Sequence, residues 1–115
     1  MKIDRADFEQ AVYDVVRSIP KGRATSYGAI AEAIGFPNHS RLVGKVMNGC
    51  NATDEHIPAH RVVNSQGRLV GRDSFSSSER MRELLESEGL RVSDNRIRNW
   101  KQEVFWNPTE ELKIL

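Results

Sequence analysis

Cysteine and histidine, which commonly act as nucleophiles, general bases or metal ligands, are few in this chain. It has one cysteine, Cys50, and three histidines, His39, His56 and His60. A cysteine thiolate is a strong nucleophile, but a single cysteine excludes an internal disulfide and a multi-cysteine metal site. The three histidines form no credible ligand set with Cys50. We therefore expect neither a metal nor another cofactor.

Basic residues are concentrated in the middle of the chain. Residues 17–72 carry eight lysines and arginines against three acidic residues, a net charge of +5. Residues 1–16 and residues 73–115 each have a net charge of −2. Because a surface rich in Lys and Arg attracts polyanions, this central block is the only segment that we expect to face nucleic acid.

Two short helices are predicted within the basic block. Ser26 is a good cap for a helix over residues 27–34, and a second helix is expected over residues 41–48. The apolar side chains of the second helix fall on one face, and its polar face carries Arg41, Lys45 and Asn48. This pair of helices is typical of a helix-turn-helix DNA-binding motif.

The segments around this motif predict a small, mainly α-helical fold. Helices are expected over residues 5–18 and 77–88, the second capped by Ser76 to Ser78 and ended by Gly89. Val62–Val63 and Arg68–Val70 read as two short strands joined by a turn, which would form a wing-like hairpin. The predicted fold class is therefore mainly α with a small β wing, helix-turn-helix or winged-helix-like.

The chain is long enough for one domain with a single modest core. We expect one domain over residues 1–115, with a core over about residues 5–90. The tail, residues 91–115, should pack on that core through Ile97, Trp100, Val104, Phe105 and Trp106. No apolar run approaches the ~20 residues that a membrane helix needs, and the first residues are charged. These features favour an intracellular protein, cytoplasmic and nucleoid-associated in a bacterium, without membrane contact, and we expect a monomer.

Four segments resemble parts of the O6-alkylguanine-DNA alkyltransferases, in the order of that family. Residues 57–63 resemble the active-site signature Pro-Cys-His-Arg-Val, with Ala59 in the position of the reactive cysteine. Residues 25–31 resemble the segment of the family's tyrosine, and residues 40–47 resemble its recognition helix. Residues 84–89 resemble the segment that ends in Glu-Gly. Together the four matches run through most of the chain.

The resemblance implies the fold of the alkyltransferase C-terminal domain, docking of its helix-turn-helix in the minor groove, and rotation of a nucleotide out of the duplex. Arg41 matches the arginine finger that fills the gap left in the base stack. Tyr27 matches the tyrosine near the phosphate of the rotated nucleotide. The DNA-binding residues expected on this basis are Tyr27, Arg41, Lys45, Asn48, Arg61 and Arg68, of which Arg61 would also brace the site.

His60 and Glu88 match two members of the family's cysteine–histidine–glutamate relay. With Ala59 in place of the thiol, that relay has nothing to activate, so we expect a vestigial, structural pair and no catalytic residue. Asn51, or else Cys50, matches the asparagine that ties the active-site turn to the recognition helix.

The loop after the signature departs from the pattern of active alkyltransferases. The family has a Tyr-Ser-Gly-Gly-like loop that closes on the alkylated base, whereas this chain has Arg72 and Asp73 there. An arginine could place its cation over the face of a rotated purine. The lesion pocket predicted from the resemblance is lined by Tyr27, Ala59, Val62, Arg72 and Asp73.

These departures resemble the alkyltransferase-like proteins of the family. The resemblance implies a non-catalytic protein that binds O6-alkylguanine in double-stranded DNA and channels the lesion to nucleotide excision repair proteins. Two alternatives stay open. One is an active alkyltransferase, with Ala59 engineered or Cys50 as a displaced nucleophile, and the other is a sequence-specific winged-helix regulator.

Overall fold

The first helix begins and ends where its periodicity predicts. In the computed structural model, which describes residues 4–49, 56–75 and 77–112, α1 spans Arg5–Ser18. The carboxylate of Asp4 caps it by accepting the backbone N–H groups of Ala6 and Asp7 at 2.9 and 3.2 Å. Its apolar face is buried through Phe8, Val12, Val15 and Val16.

Helices α2, Tyr27–Ala33, and α3, Ser40–Gly49, form the predicted pair. The hydroxyl of Ser26 caps α2 by accepting the N–H of Ala29 at 3.1 Å. Gly35, with φ of +89°, ends it in the left-handed conformation. Because α3 buries only its apolar side, its polar face stays exposed, with Arg41, Lys45 and Asn48 upon it.

The predicted wing is wrong in its pairing. Strand β2, Val62–Val63, pairs in parallel with β1, Thr25–Ser26, and not with Arg68–Val70. The segment around Arg68 instead bonds to the tail, where β3, Val92–Ser93, and β4, Arg96–Ile97, form an antiparallel hairpin. The pairing of β1 with β2 joins segments far apart in the chain, and such pairing leaves no turn signal beside the strand.

Helix α4, Arg80–Ser87, is shorter than predicted. Its N-cap is Glu79, which makes no side-chain cap bond, so the predicted cap by Ser77 or Ser78 is wrong; Ser76 lies outside the described residues. Its end is as predicted: Gly89 has φ of +93°, and the N–H of Leu90 returns to the carbonyl of Leu85 at 3.2 Å.

The tail is part of the core. After the hairpin come a π-helical turn, Trp100–Val104, and α5, Pro108–Leu112. As predicted, its apolar side chains pack inward: Ile97, Trp100, Val104 and Trp106 are buried and Phe105 is half-buried. None of the helices described is long and apolar enough to cross a bilayer.

Strand β2 separates two apolar clusters and thereby fixes the site. Successive side chains of a strand point to opposite faces. Val62 packs in the cluster of α1, α2 and α3, whereas Val63 packs in the cluster of α4 and the tail. The 3₁₀ turn Ala59–Arg61, which leads directly into β2, is therefore held between both halves of the core.

Candidate nucleic-acid interface and lesion pocket

An open cleft of about 290 Å³ lies against the exposed face of α3. Arg41, Gly44 and Asn48 follow one another along the helix by about one turn each, and all three line the cleft. The facing residues include Tyr27, at the start of α2, and Val70 and Gly71 from the loop after β2. Among the described residues, Val70 is the one large apolar side chain that is exposed, at 52 %.

A deeper, nearly closed pocket continues from this cleft. The two share Tyr27, Asn48 and Gly71. The deeper pocket has a free volume of about 10 Å³, room for about one water molecule. A base could therefore enter only if a wall of the pocket moved. Its lining is mainly apolar and comprises Tyr27, Met47, Asn48, Ala59, Val62, Gly71, Phe75 and Met81.

The loop after β2 forms one wall of this pocket. A side chain at Gly71 would place its Cβ 2.9 Å from the hydroxyl of Tyr27, so the backbone of the loop lies directly on that side chain. A 3₁₀ turn, Arg72–Ser74, follows. The guanidinium of Arg72 donates to the carbonyl of Leu69 at 3.2 Å, so in this closed arrangement it bonds to its own loop.

Of the five predicted pocket residues, three line the deeper pocket: Tyr27, Ala59 and Val62. Arg72 and Asp73 are not among the described residues that line it. Sequence reasoning missed the contributions of Met47, Gly71, Phe75 and Met81, and it assigned Asn48 to DNA contact only. Of these, only Gly71 carried a signal, as a glycine directly before the altered loop.

Beside Ala59, a buried carboxylate organises the site. The side chain of Glu88, 7 % exposed, accepts His60 Nε2 at 2.6 Å and Arg61 Nη2 at 2.8 Å. Arg61 Nε lies 3.0 and 3.1 Å from its two oxygens. The backbone N–H of Gly22 donates to it at 2.9 Å, and Arg61 Nη1 donates to the carbonyl of Ile19 at 2.9 Å. The network ties the end of α1 to the end of α4 and to the turn that carries Ala59.

His60 and Glu88 differ in charge: the environment favours the neutral form of the histidine and the ionised form of the glutamate. Burial lowers the pKa of His60 more strongly than its bond to Glu88 raises it, so the imidazole is biased towards the neutral form. Burial by itself would raise the pKa of Glu88. Hydrogen bonds from Arg61, the Gly22 backbone and His60 outweigh this and lower it to about 2. A neutral histidine oriented by an ionised carboxylate is the arrangement that accepts a proton from a thiol, but the adjacent side chain is the methyl of Ala59.

The predicted DNA-binding residues separate into two groups. Arg41, Lys45, Asn48 and Arg68 are exposed, and Tyr27 is half-buried where it lines the cleft. Arg61 is not available in the same way, because its side chain is 17 % exposed and its guanidinium is bonded to Glu88 and Ile19. The bracing role expected for Arg61 fits this geometry, whereas a direct DNA contact does not. Cys50 and Asn51 lie outside the described residues.

Comparison with known proteins identifies the family. The family model described as the DNA-binding domain of 6-O-methylguanine DNA methyltransferase matches residues 7–90. The chain belongs to this family. Alkyltransferase-like protein 1 of Schizosaccharomyces pombe is 35 % identical over 111 residues, which are 94 % of this chain and 100 % of that protein. The DNA base-flipping protein of Vibrio parahaemolyticus is 40 % identical over 85 residues, which are 72 % of this chain and 80 % of that protein.

A solved structure of the family agrees with this fold. The crystal structure of S. pombe Atl1 in complex with damaged DNA containing O6-carboxymethylguanine has a TM-score of 0.74 at 34 % identity. The match covers 92 % of this chain and 98 % of that one. The fold class predicted from the sequence, a mainly helical alkyltransferase-type DNA-binding domain with small sheets, is thus confirmed.

Proposed function

We propose that this protein recognises O6-alkylguanine in duplex DNA and binds it without transferring the alkyl group. The observation that carries the proposal is the methyl side chain of Ala59 in the wall of the deeper pocket, next to a complete His60–Glu88 pair. The names of two relatives, a DNA base-flipping protein and a protein crystallised with O6-carboxymethylguanine DNA, support it.

The chemistry of the pocket favours binding over reaction. Alkyl transfer requires a thiolate that attacks the alkyl carbon while guanine leaves. Alanine supplies no nucleophile. Its small size also leaves space beside the guanine oxygen, where an alkyl group needs an apolar surface and finds Val62 and Met81. The protein therefore retains the lesion in place of repairing it.

In the proposed complex, α3 lies in the minor groove and Arg41 enters the base stack. Arg41 lines the outer cleft at the first turn of α3, where a planar guanidinium can stack on bases and donate to the orphaned cytosine. Tyr27 lines both the cleft and the pocket, so its hydroxyl can hold the phosphate of the rotated nucleotide at the entrance.

Entry of the base requires the loop at Gly71 to withdraw from Tyr27. Arg72 would then exchange the carbonyl of Leu69 for the face of the purine, a cation–π contact worth about 0.5–2 kcal/mol. This contact would offset part of the free energy needed to open the pocket. We further propose that the resulting complex passes the lesion to nucleotide excision repair, as the family resemblance implies.

A binding titration tests the proposal. Labelled duplexes that differ only in one O6-methyl group are titrated at several stated salt concentrations, and the protein is weighed after incubation with the methylated duplex. We expect tighter binding to the alkylated duplex and an unchanged protein mass. A methyl group added to the protein would support the transferase alternative, and equal affinity for both duplexes would refute lesion recognition and favour a sequence-specific regulator.

Two variants separate docking from lesion recognition. Arg41→Ala should weaken binding to intact and alkylated duplexes alike, whereas Arg72→Ala should mainly reduce the preference between them. Arg17→Ala is the matched control, because Arg17 lies on α1 beside Asp14, 3.2 Å away. An unchanged preference in Arg72→Ala would refute the cation–π contact.

A further inference from the structure

A second groove, of about 800 Å³, lies on the opposite end of the loop that walls the pocket. It is formed by the β3–β4 hairpin and the π-helical turn. The described residues that line it include no carboxylate, but they include three cations and three side-chain amides: Arg96, Arg98, Lys101, Gln66, Asn99 and Gln102.

The positive charge of this groove cannot be read from the net charge of the segment that forms most of it. Residues 73–115 have a net charge of −2, which led us to expect no polyanion face there. In the fold, two of those acidic residues, Glu79 and Glu86, lie on or beside α4 and pair with Arg82. The nearest acid of the π-helical turn, Glu103, accepts the amide of Asn99 at 3.4 Å.

None of the three groove cations is neutralised within the described part of the chain. Arg96, Arg98 and Lys101 take part in no salt bridge of the described residues. All three are exposed. The amides of Gln66 and Gln102 can donate beside these exposed cations, whereas that of Asn99 is bonded to Glu103. Together the cations and the two amides suit an anion with several acceptor oxygens, such as a phosphodiester.

The groove is built on rigid elements. The indole N–H of Trp100 donates to the carbonyl of Ser65 at 2.9 Å, and Arg96 Nε donates to that of Gln66 at 3.0 Å. Gly67 lies so close to Trp100 that an added Cβ would be 2.8 Å from the indole ring. The cations therefore project from a fixed surface, which lowers the entropy lost on binding.

Backbone hydrogen bonds connect the groove to the DNA-facing cleft. The N–H of Ile97 donates to the carbonyl of Gly67 at 2.9 Å, and that of Leu69 donates to Asn95 at 2.8 Å. The next two residues of the same loop, Val70 and Gly71, line the cleft along α3. One short segment, residues 67–71, thus contacts the hairpin of the basic groove at one end and lines the cleft at the other.

We propose that this groove binds backbone phosphates of the duplex on one side of the lesion, as a second contact beyond the helix-turn-helix. The inference rests on the proposed function. The longest dimension of the molecule is 40 Å, which corresponds to about 12 base pairs at 3.4 Å each. The phosphates that the groove contacts would belong to base pairs that flank the lesion on the side of the groove.

The test combines a double variant with duplexes of different flanks. Arg98→Ala/Lys101→Ala removes two groove cations but keeps Arg96, which holds the hairpin. The control, Arg17→Ala/Arg82→Ala, removes the same charge where each arginine already faces a carboxylate. Each protein is titrated with alkylated and intact duplexes of about 12 and about 24 base pairs, the extra length placed on one side of the lesion or on the other.

We expect the unaltered protein to gain affinity from added length on one side only. The groove variant should lose that gain, and the slope of log K against log salt should decrease by about 1–2, since each lost phosphate contact contributes about 0.9. Its preference for the alkylated duplex should remain. If the groove variant keeps the flank dependence and the salt slope of the control, the second contact is refuted, including the case in which the groove serves an acidic polypeptide. A missing lesion preference in the unaltered protein would instead refute the proposed function.

Discussion

Replacing Gly44 by alanine should stabilise the fold and weaken DNA binding. Gly44 lies in the middle of α3 and lines the cleft. A Cβ added there would meet no atom within 4 Å, and its φ is not in the left-handed region. The folded state therefore pays no steric penalty, and removing a helix-interior glycine should raise the free energy of unfolding by about 0.5–1 kcal/mol.

The same methyl group would stand between α3 and the duplex. If α3 approaches DNA as closely as proposed, an extra methyl at a packed interface costs about 1–3 kcal/mol, which is about a 5- to 150-fold increase in Kd. Gly28→Ala is the matched control for the stability effect: Gly28 is also helical and has nothing within 4 Å of an added Cβ, and it is not among the residues that line the cleft.

Urea unfolding followed by tryptophan fluorescence measures the first effect, and fluorescence anisotropy with labelled duplexes measures the second. Gly44→Ala should move the two readouts in opposite directions, whereas Gly28→Ala should raise the stability in the same way. Unaltered binding by Gly44→Ala would show that α3 does not dock along the cleft.

Three further predictions concern the fold that supports the site. Glu88→Gln should lower the free energy of unfolding by about 2–4 kcal/mol at neutral pH, because it leaves the largely buried guanidinium of Arg61 without its carboxylate. Urea unfolding measures this loss, and a loss below about 0.5 kcal/mol, as for an exposed pair, would contradict the prediction. Because the folded-state pKa of Glu88 is lowered to about 2, its stabilising contribution is complete above its ordinary value of about 4.3 and is lost as pH falls towards about 2. On a His60→Asn background, which removes the coupled titration, the destabilisation by Glu88→Gln should therefore shrink between neutral pH and about pH 3, and a pH-independent difference would count against the ion pair. Gly67→Ala should destabilise the fold by about 2–3 kcal/mol, since it combines φ of +80° with a Cβ contact of 2.8 Å to a buried indole. The control, Gly35→Ala, has φ of +89° and nothing within 4 Å of an added Cβ, and should cost only about 1 kcal/mol. Equal losses of stability in urea unfolding would contradict the packing of the loop on the tail.

Local signals in the sequence predicted the helices well. The bounds of α1 follow from its apolar periodicity. The cap of α2 follows from the hydroxyl of Ser26, and the end of α4 follows from the left-handed conformation that Gly89 adopts. The predicted start of α4 was wrong. The serines before it are residues that can cap a helix, but the helix begins only at Arg80.

Pairings between distant segments were not predictable in this way. The wing was expected from a turn between Val63 and Arg68, yet β2 pairs with β1, and the loop after it pairs with a hairpin that the sequence did not predict. A parallel pair has no connecting turn to announce it, so only the packing of α1 and α2 against β2 decides which strand it meets.

By itself, the sequence determined that the position of the family's nucleophile carries a methyl group, since Ala59 follows from its place between Pro58 and His60. It also determined the basic face of α3, because helical periodicity sets which side chains share a face. Only the tertiary structure decided that the guanidinium of Arg61 is bonded to Glu88 and that Arg72 bonds to its own loop. It also decided that three cations of an acidic segment line one groove. Electrostatics acts through space, so charges that cancel along the chain need not cancel on the surface.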